Sequence, residues 1–308
     1  MHVADALDAR IRQTGSIACV GLDPRPDLLP PELVRRHRDR CAGGECTPAE
    51  AVATAFVEAN QRVIDAVADR CAAVKPQAAC YEAYGLAGWA ALEATVRHAA
   101  AAGIPVILDA KRGDIGSTAT HYGQMAFGGA PDLDGDPCPG MGADWLTVNG
   151  YLGRDGVDPV LESGGGRRGV FVLVKTSNPG SGELQDVGAG EGTTVADRMA
   201  ERVAAWGAEH LGASGLSAVG AVVGATYPDH ARALRERMPD TVFLVPGYGA
   251  QGASAADAVA GMRPDGRGVL VSSSRGITGA WQALGSDDIG AAAGQALDAM
   301  NADLDSAR

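Results

Sequence analysis

No run of apolar residues in this chain is long enough to cross a bilayer. The longest nearly apolar stretch, Ala99 to Leu108, contains Gly103 and Pro105 and stops at Asp109, well short of the roughly 18 residues a spanning helix requires. The first residues, MHVADALDARIRQ, are interrupted by Asp5, Asp8 and Arg10 and lack the basic-then-apolar layout of a secretory signal. A cytoplasmic enzyme is the expectation. Disulfide and metal spacings are missing too. Cys19, Cys41, Cys46, Cys71, Cys80 and Cys138 form no CxxC pair, and such scatter in a long chain reads as reduced thiols, mostly buried. His37, Cys41, Cys46 and Cys138 match no common zinc spacing. The other histidines, His2, His98, His121, His210 and His230, make no constellation, and no G-x-S-x-G elbow is present, so a histidine-based triad has no support. Positive charge is scarce: 26 Lys and Arg against 38 Asp and Glu leave a formal charge of −12. That balance excludes a broad nucleic-acid footprint and leaves room only for a local anion site.

What is present is an ordinary globular composition, 46% hydrophobic and 21% charged, with an excess of glycine at 43 of 308 residues. Such an excess suits many tight loops over rigid elements. Eight short β-branched runs recur: Ile17–Leu22, Cys71–Lys75, Pro105–Asp109, Trp145–Val148, Val170–Val174, Ala218–Gly224, Val242–Pro246 and Gly268–Ser272. Most alternate with stretches of helical period. Val52, Phe56, Ala59, Val63 and Val67 draw one apolar stripe, and Thr47, Pro48 and Glu50 spell its start as a capping box. A second stretch around Leu92 and Val96 is expected to stop at Gly103. Nearly continuous apolar strands separated by helices favour a parallel sheet covered on both faces, and eight of them point to a closed (β/α)8 barrel, with an open doubly wound sheet as the alternative. Residues 1–308 read as a single barrel domain. Pro30–Cys46 and Gly128–Gly142 read as surface insertions.

The sharpest local signal is LDAKRGDIGST, residues 108–118, at the end of an apolar run. Residues two apart in a strand share a face, so Asp109 and Lys111 are expected to point together into the barrel mouth. Asp114 follows where the chain turns toward a helix. Lys75 ends CAAVK and Asp23 ends VGLD, both also at strand C-termini. A structural ion pair with a helix-capping aspartate is the plain alternative. Four strand-end charges of alternating sign suit general acid chemistry better, because interleaved carboxylates keep ammoniums protonated and fixed. Further on, VFLVPGYGAQG and VLVSSSRGI place small residues after strands seven and eight, where barrels often bind phosphate, and Arg275 adds a bidentate donor. Gly247, Gly249 and Gly252 also spell G-x-G-x-x-G, which keeps an NAD-binding oxidoreductase open, although the next strand ends in serines where an acidic residue belongs. Asp132, Asp134 and Asp136 imitate a calcium loop but have Pro137 at the glycine position and Ala143 at the twelfth.

Taken with GLDPRP, VKPQAACYEAYG, TVNGYLGRDGVDP, VKTSNPGSGELQ and SSSRG in this order, the chain resembles the orotidine 5′-phosphate decarboxylases, specifically a longer bacterial subfamily. The resemblance implies a (β/α)8 barrel that converts orotidine 5′-monophosphate to uridine 5′-monophosphate and CO2 without metal or organic cofactor, as a homodimer with shared sites. It implies Lys111 as proton donor, Asp109 beside the substrate carboxylate, and Lys75 completing the charge network with Asp114 of the other subunit. Asp23 would meet the ribose, with Ile115 and Thr118 across the interface. Ser177 would bond the pyrimidine and Pro246 would flank it. Gln251 and Arg275, with backbone near Gly249 and Ser274, would hold the phosphate. Gly150 stands where many relatives have proline, and both insertions look long. A magnesium-dependent sugar-phosphate decarboxylase or aldolase, which shares D-x-K-x-x-D, is the alternative enzyme. A catalytically dead phosphate-binding barrel is the non-enzyme one.

Overall fold

The computed structural model describes residues 1–190 and 192–308, and each of the eight apolar runs supplies a strand. They are β1 (Ala18–Leu22), β2 (Ala73–Pro76), β3 (Ile107–Arg112), β4 (Trp145–Val148), β5 (Gly169–Lys175), β6 (Val219–Val223), β7 (Phe243–Val245) and β8 (Val269–Ser273). All neighbours pair in parallel, in the order β2-β1-β8-β7-β6-β5-β4-β3. Two isolated parallel bridges, Val74 with Val106 and Gln77 with Asp109, join the outer strands β2 and β3. The ring is thereby closed, and the fold is a (β/α)8 barrel. Strands covered on both faces must be apolar along their whole length, and β1, β2, β4, β6, β7 and β8 are buried at every residue.

The helix Pro48–Val67 begins as its sequence requires: the Glu50 amide donates to the Thr47 hydroxyl, and the Thr47 amide donates to the Glu50 carboxylate at 2.7 Å. Its stripe packs inward through Phe56, Ala59, Val63 and Val67, with Val52 half-buried. Phe56 meets Tyr81 and Tyr84 edge-on at 6.2 and 5.4 Å, and burying such a ring contributes about 1.5–3 kcal/mol. The helix Gly85–Ala101 ends ahead of Gly103, whose φ of 71° reverses the chain into β3.

Residues 30–46 carry a helix, Pro31–Ala42, laid on Pro48–Val67 through buried Leu33 and a hydrogen bond between His37 Nε2 and Glu58 at 3.1 Å. Residues 128–142 fold back on the helix Gly116–Phe127, where the Met141 amide donates to the Met125 carbonyl at 3.0 Å. All six cysteines are free, but only Cys19 and Cys71 are buried; Cys41, Cys46 and Cys80 are half-buried and Cys138 is exposed. The expectation of mostly buried thiols is corrected. Cys41 lies in the last turn of the helix Pro31–Ala42, Cys46 in the link that follows it and Cys138 in the glycine- and proline-rich fold-back, none of them among the residues these segments send into the core, such as Leu33 and Met141. Among the described residues no helix is long and apolar enough to cross a membrane.

At the strand-entry end, the buried Arg235 guanidinium donates to the carbonyls of Met238, Thr241, Gly261 and Gly268 and lies 3.7 Å over the Phe243 ring. It ties the chain entering β7 to the chain entering β8. Removing a donor from several buried carbonyls costs about 1–3 kcal/mol for each group left unsatisfied. Arg235→Ala is therefore expected to cost about 3 kcal/mol or more and to lower Tm by at least about 6 °C. Thermal melts followed by circular dichroism check this, and Arg235→Lys should recover little, since one ammonium cannot reproduce the planar fork.

Candidate active site

The C-terminal mouth of the barrel holds a cavity of about 770 Å³, a size suited to a small-molecule ligand. Every strand after β1 sends at least one side chain to the cavity: Lys75, Asp109 and Lys111, Thr147, Leu173, Val222, Leu244, and Ser272 with Ser273, while Asp23 lies just beyond β1. Parallel strands in a barrel bring their ends to one rim, so residues far apart in sequence become neighbours there. Close packing beneath the rim needs glycine at particular points. A Cβ on Gly224 would lie 2.8 Å from Ser177 Cα, and one on Gly21 would lie 1.8 Å from Ser274 Oγ.

Asp109 is the hub. One carboxylate oxygen accepts from Lys75 Nζ at 2.7 Å and Gln77 Nε2 at 3.0 Å; the other accepts from Lys111 Nζ at 2.7 Å and Thr147 Oγ1 at 2.9 Å. Burial alone would push the Asp109 carboxyl up, but the Lys75 and Lys111 ammoniums outweigh it and hold the group below the ordinary aspartate value. Burial would likewise depress Lys75, yet the Asp109 and Asp23 carboxylates raise it above the ordinary lysine value. Both therefore carry full charge at neutral pH. Lys111 is half-exposed and reaches into open cavity, while Asp23 keeps a buried Oδ1 with no hydrogen-bond partner.

Asp109 and Lys111 converge as expected, but strand alternation is not the means. The β3–β4 register shifts between Leu108 and Arg112, and Lys111 adopts a left-handed φ of 46°. Ser177, Pro246, Gln251, Ser274 and Arg275 line the same cavity. Gly249 does not line it, and its amide donates to the Ala253 carbonyl at 3.0 Å within the turn. Asp114, Ile115 and Thr118 also lie outside this cavity. The Asp114 carboxylate accepts from the Ile115 amide at 2.8 Å, while Ile115 and Thr118 are exposed.

Sequence reasoning missed three residues. Gln77 and Thr147 both bond Asp109; each is a polar residue at the end of an apolar strand, and that was the available signal. Lys175 ends VLVK just as Lys75 ends CAAVK. It is fully buried, donates to Asp186 at 2.6 Å and lies 4.4 Å over the Tyr227 ring. It does not line the cavity and instead fastens the segment that carries Ser177.

The profile of the Orotidine 5′-phosphate decarboxylase / HUMPS family matches residues 17–284. An orotidine 5′-phosphate decarboxylase of Rhodopirellula baltica is 47% identical over 278 residues, covering 90% of this chain and 88% of that protein. That of Haloarcula marismortui is 43% identical over 277 residues, covering 90% and 87%. The solved OMP decarboxylase of Leishmania donovani superposes with a TM-score of 0.72 at 35% identity, covering 98% of each chain.

A buried charge left without its partner is costly, whereas replacing a whole pair by apolar groups is often close to neutral. Asp109→Ala is accordingly expected to cost about 3–5 kcal/mol, and Lys75→Met with Asp109→Leu distinctly less. Because the Asp109 pKa is depressed, its contribution is complete above the unfolded value near 3.9 and is lost as pH falls through the folded value. The raised Lys75 contributes fully below about 10.4 and loses this as pH rises further. Urea denaturation should thus give a stability gap between wild type and Asp109→Ala that is flat from about pH 5 to 9 and shrinks below about pH 4.

Proposed function

This chain belongs to the Orotidine 5′-phosphate decarboxylase / HUMPS family and is a lyase that removes CO2 from orotidine 5′-monophosphate to leave uridine 5′-monophosphate; we propose that the charge cluster around Asp109 carries the reaction and that Lys111 donates the proton. One observation carries this reading: two ammoniums are held on one buried carboxylate at the cavity floor, and only Lys111 of the two extends into open space. When the C6–carboxylate bond breaks, its electron pair stays on C6 in the plane of the ring, where π delocalisation cannot reach it. A fixed cation and a ready proton are what such a carbanion needs. The Lys111 proton passes to C6, and the resulting amine regains a proton from solvent. Asp109, beside the departing carboxylate, adds repulsion in the ground state that is relieved as CO2 leaves.

The rest of the cavity accounts for the nucleotide. Asp23 at the cavity wall suits a ribose hydroxyl, Ser177 the pyrimidine edge and Pro246 its face. Gln251, Arg275 and backbone near Ser274 suit the phosphate, whose binding energy holds the reactive geometry from a distance. Gly249 shapes the turn that presents Gln251. Asp114, Ile115 and Thr118 lie outside their own chain's cavity, and Ile115 and Thr118 are exposed. That exposure supports a homodimer in which these three side chains enter the partner's cavity. On this reading residues 1–308 are one barrel domain, with insertions at 30–46 and 128–142, working in the cytoplasm without metal or organic cofactor.

Purified protein treated with EDTA should consume orotidine 5′-monophosphate, followed by ultraviolet absorbance, and Lys111→Ala should nearly abolish turnover with Tm little changed. A folded Lys111→Ala retaining more than about a tenth of wild-type kcat, a loss under about 1.4 kcal/mol, defeats the assignment. Activity that returns only with Mg2+, and on a sugar phosphate, would defeat the proposed role of the cluster altogether.

The shared site has its own test. Mixing inactive Asp114→Ala with inactive Lys111→Ala subunits should restore about a quarter of wild-type activity, since about half the dimers are mixed and each has one intact site. Mixed dimers that form and remain inactive would assign Asp114 to its own chain.

A further inference from the structure

Lys111 must present its ammonium to C6 from a backbone that ordinary side-chain residues avoid. Among the described residues it is the one non-glycine with positive φ, at 46°, and it sits where the β3–β4 register slips. A left-handed, non-glycine residue persists only when its surroundings over-determine it. Two fixed points flank it. On the far side, Arg112 is held between the Trp89 and Tyr122 rings at 5.9 and 5.5 Å and paired with Glu82, while its carbonyl accepts from the Asn149 amide at 2.7 Å. On the near side there is a single hydroxyl. Thr147 Oγ1, buried on β4, accepts from the Lys111 amide at 2.9 Å and donates to Asp109 Oδ1 at 2.9 Å.

A hydroxyl has one proton to give. Thr147 gives that proton to the oxygen of Asp109 that also receives the Lys111 ammonium, and takes the Lys111 amide on its lone pair. One side chain thus fixes both ends of the Lys111 lever: its backbone, and the anion that receives its tip. We propose that Thr147 is a positioning residue for proton transfer, setting the aim of Lys111 without touching substrate chemistry itself. The proposal rests on Lys111 being the proton donor. Without the hydroxyl, the Lys111 amide loses its partner and the bend loses its near-side clamp, so the ammonium swings from its line to C6. Displacements of about 1 Å in a reacting group cost about 100-fold in rate.

The test compares Thr147→Val, Thr147→Ser and Thr147→Ala with Lys111→Ala in one series, reading kcat, KM and the Kd for uridine 5′-monophosphate. Thr147→Val keeps the shape and loses the hydroxyl, and should lower kcat by about 100-fold, while KM and product affinity stay within about threefold because nucleotide contacts are intact. Thr147→Ser should remain within about threefold of wild type in kcat. The serine and alanine variants differ only by the hydroxyl, so they give the same test if the valine variant does not fold. A Thr147→Val enzyme keeping more than half its kcat beside an inactive Lys111→Ala overturns this inference alone. So does a serine variant as impaired as alanine, which would assign the effect to packing of the methyl group. An active Lys111→Ala overturns the proton-donor reading and this inference with it.

Discussion

A carboxylate taken out of water between two ammoniums is the constraint on which this structure turns. Asp109 is buried at a cost that only paired charges and full hydrogen bonding can offset, and it receives four donors from three strand ends: Lys75 and Gln77 of the β2 end, Lys111 of β3 itself and Thr147 of β4. The same residue lies on the seam of the barrel. β2 and β3 are joined by two isolated bridges only, one of them Gln77 with Asp109, whereas every other pair of neighbours shares a ladder, those of β3–β4 and β5–β6 with a register shift. The Lys75–Asp109 pair crosses that seam. The electrostatics of the site and the closure of the ring are therefore one arrangement.

Around this floor much of the remaining lining comes from loops held at particular points. Lys175, buried at the end of β5, reaches Asp186 and so ties together the two ends of the segment carrying Ser177, while its ammonium lies over the Tyr227 ring beyond β6. Gly224 lets the Ser177 backbone approach where any Cβ would collide. The turn after β7 closes on itself through the Gly249 amide, which leaves the Gln251 side chain facing the cavity. The charged groups ride on strand ends and the other cavity-lining side chains largely on loops, the layout that barrels permit.

Much of this was legible in the chain. The Thr47–Glu50 box is a local device whose donors and acceptors are three residues apart, so composition at those positions suffices to foresee it. The strands were legible because burial on two faces leaves an unbroken apolar run. Burial of individual cysteines was not, since Cys41, Cys46 and Cys138 lie in segments 30–46 and 128–142, whose packing depends on what they fold against. Nor was the role of Gly249, whose amide is consumed by a turn partner four residues on that no glycine pattern reveals.

The sequence by itself determined the eight strands, the covered parallel sheet and the charges at strand ends, because periodicity and local hydrogen-bonding capacity are properties of neighbouring residues. Tertiary structure alone decided that Lys75, Asp109, Lys111 and Thr147 meet at one point, that Lys111 is held in a left-handed bend, and that Asp114, Ile115 and Thr118 do not line their own chain's cavity. Those outcomes depend on the register between strands and on the closing of the ring, and a register is a relation between segments distant in sequence, which no local pattern encodes.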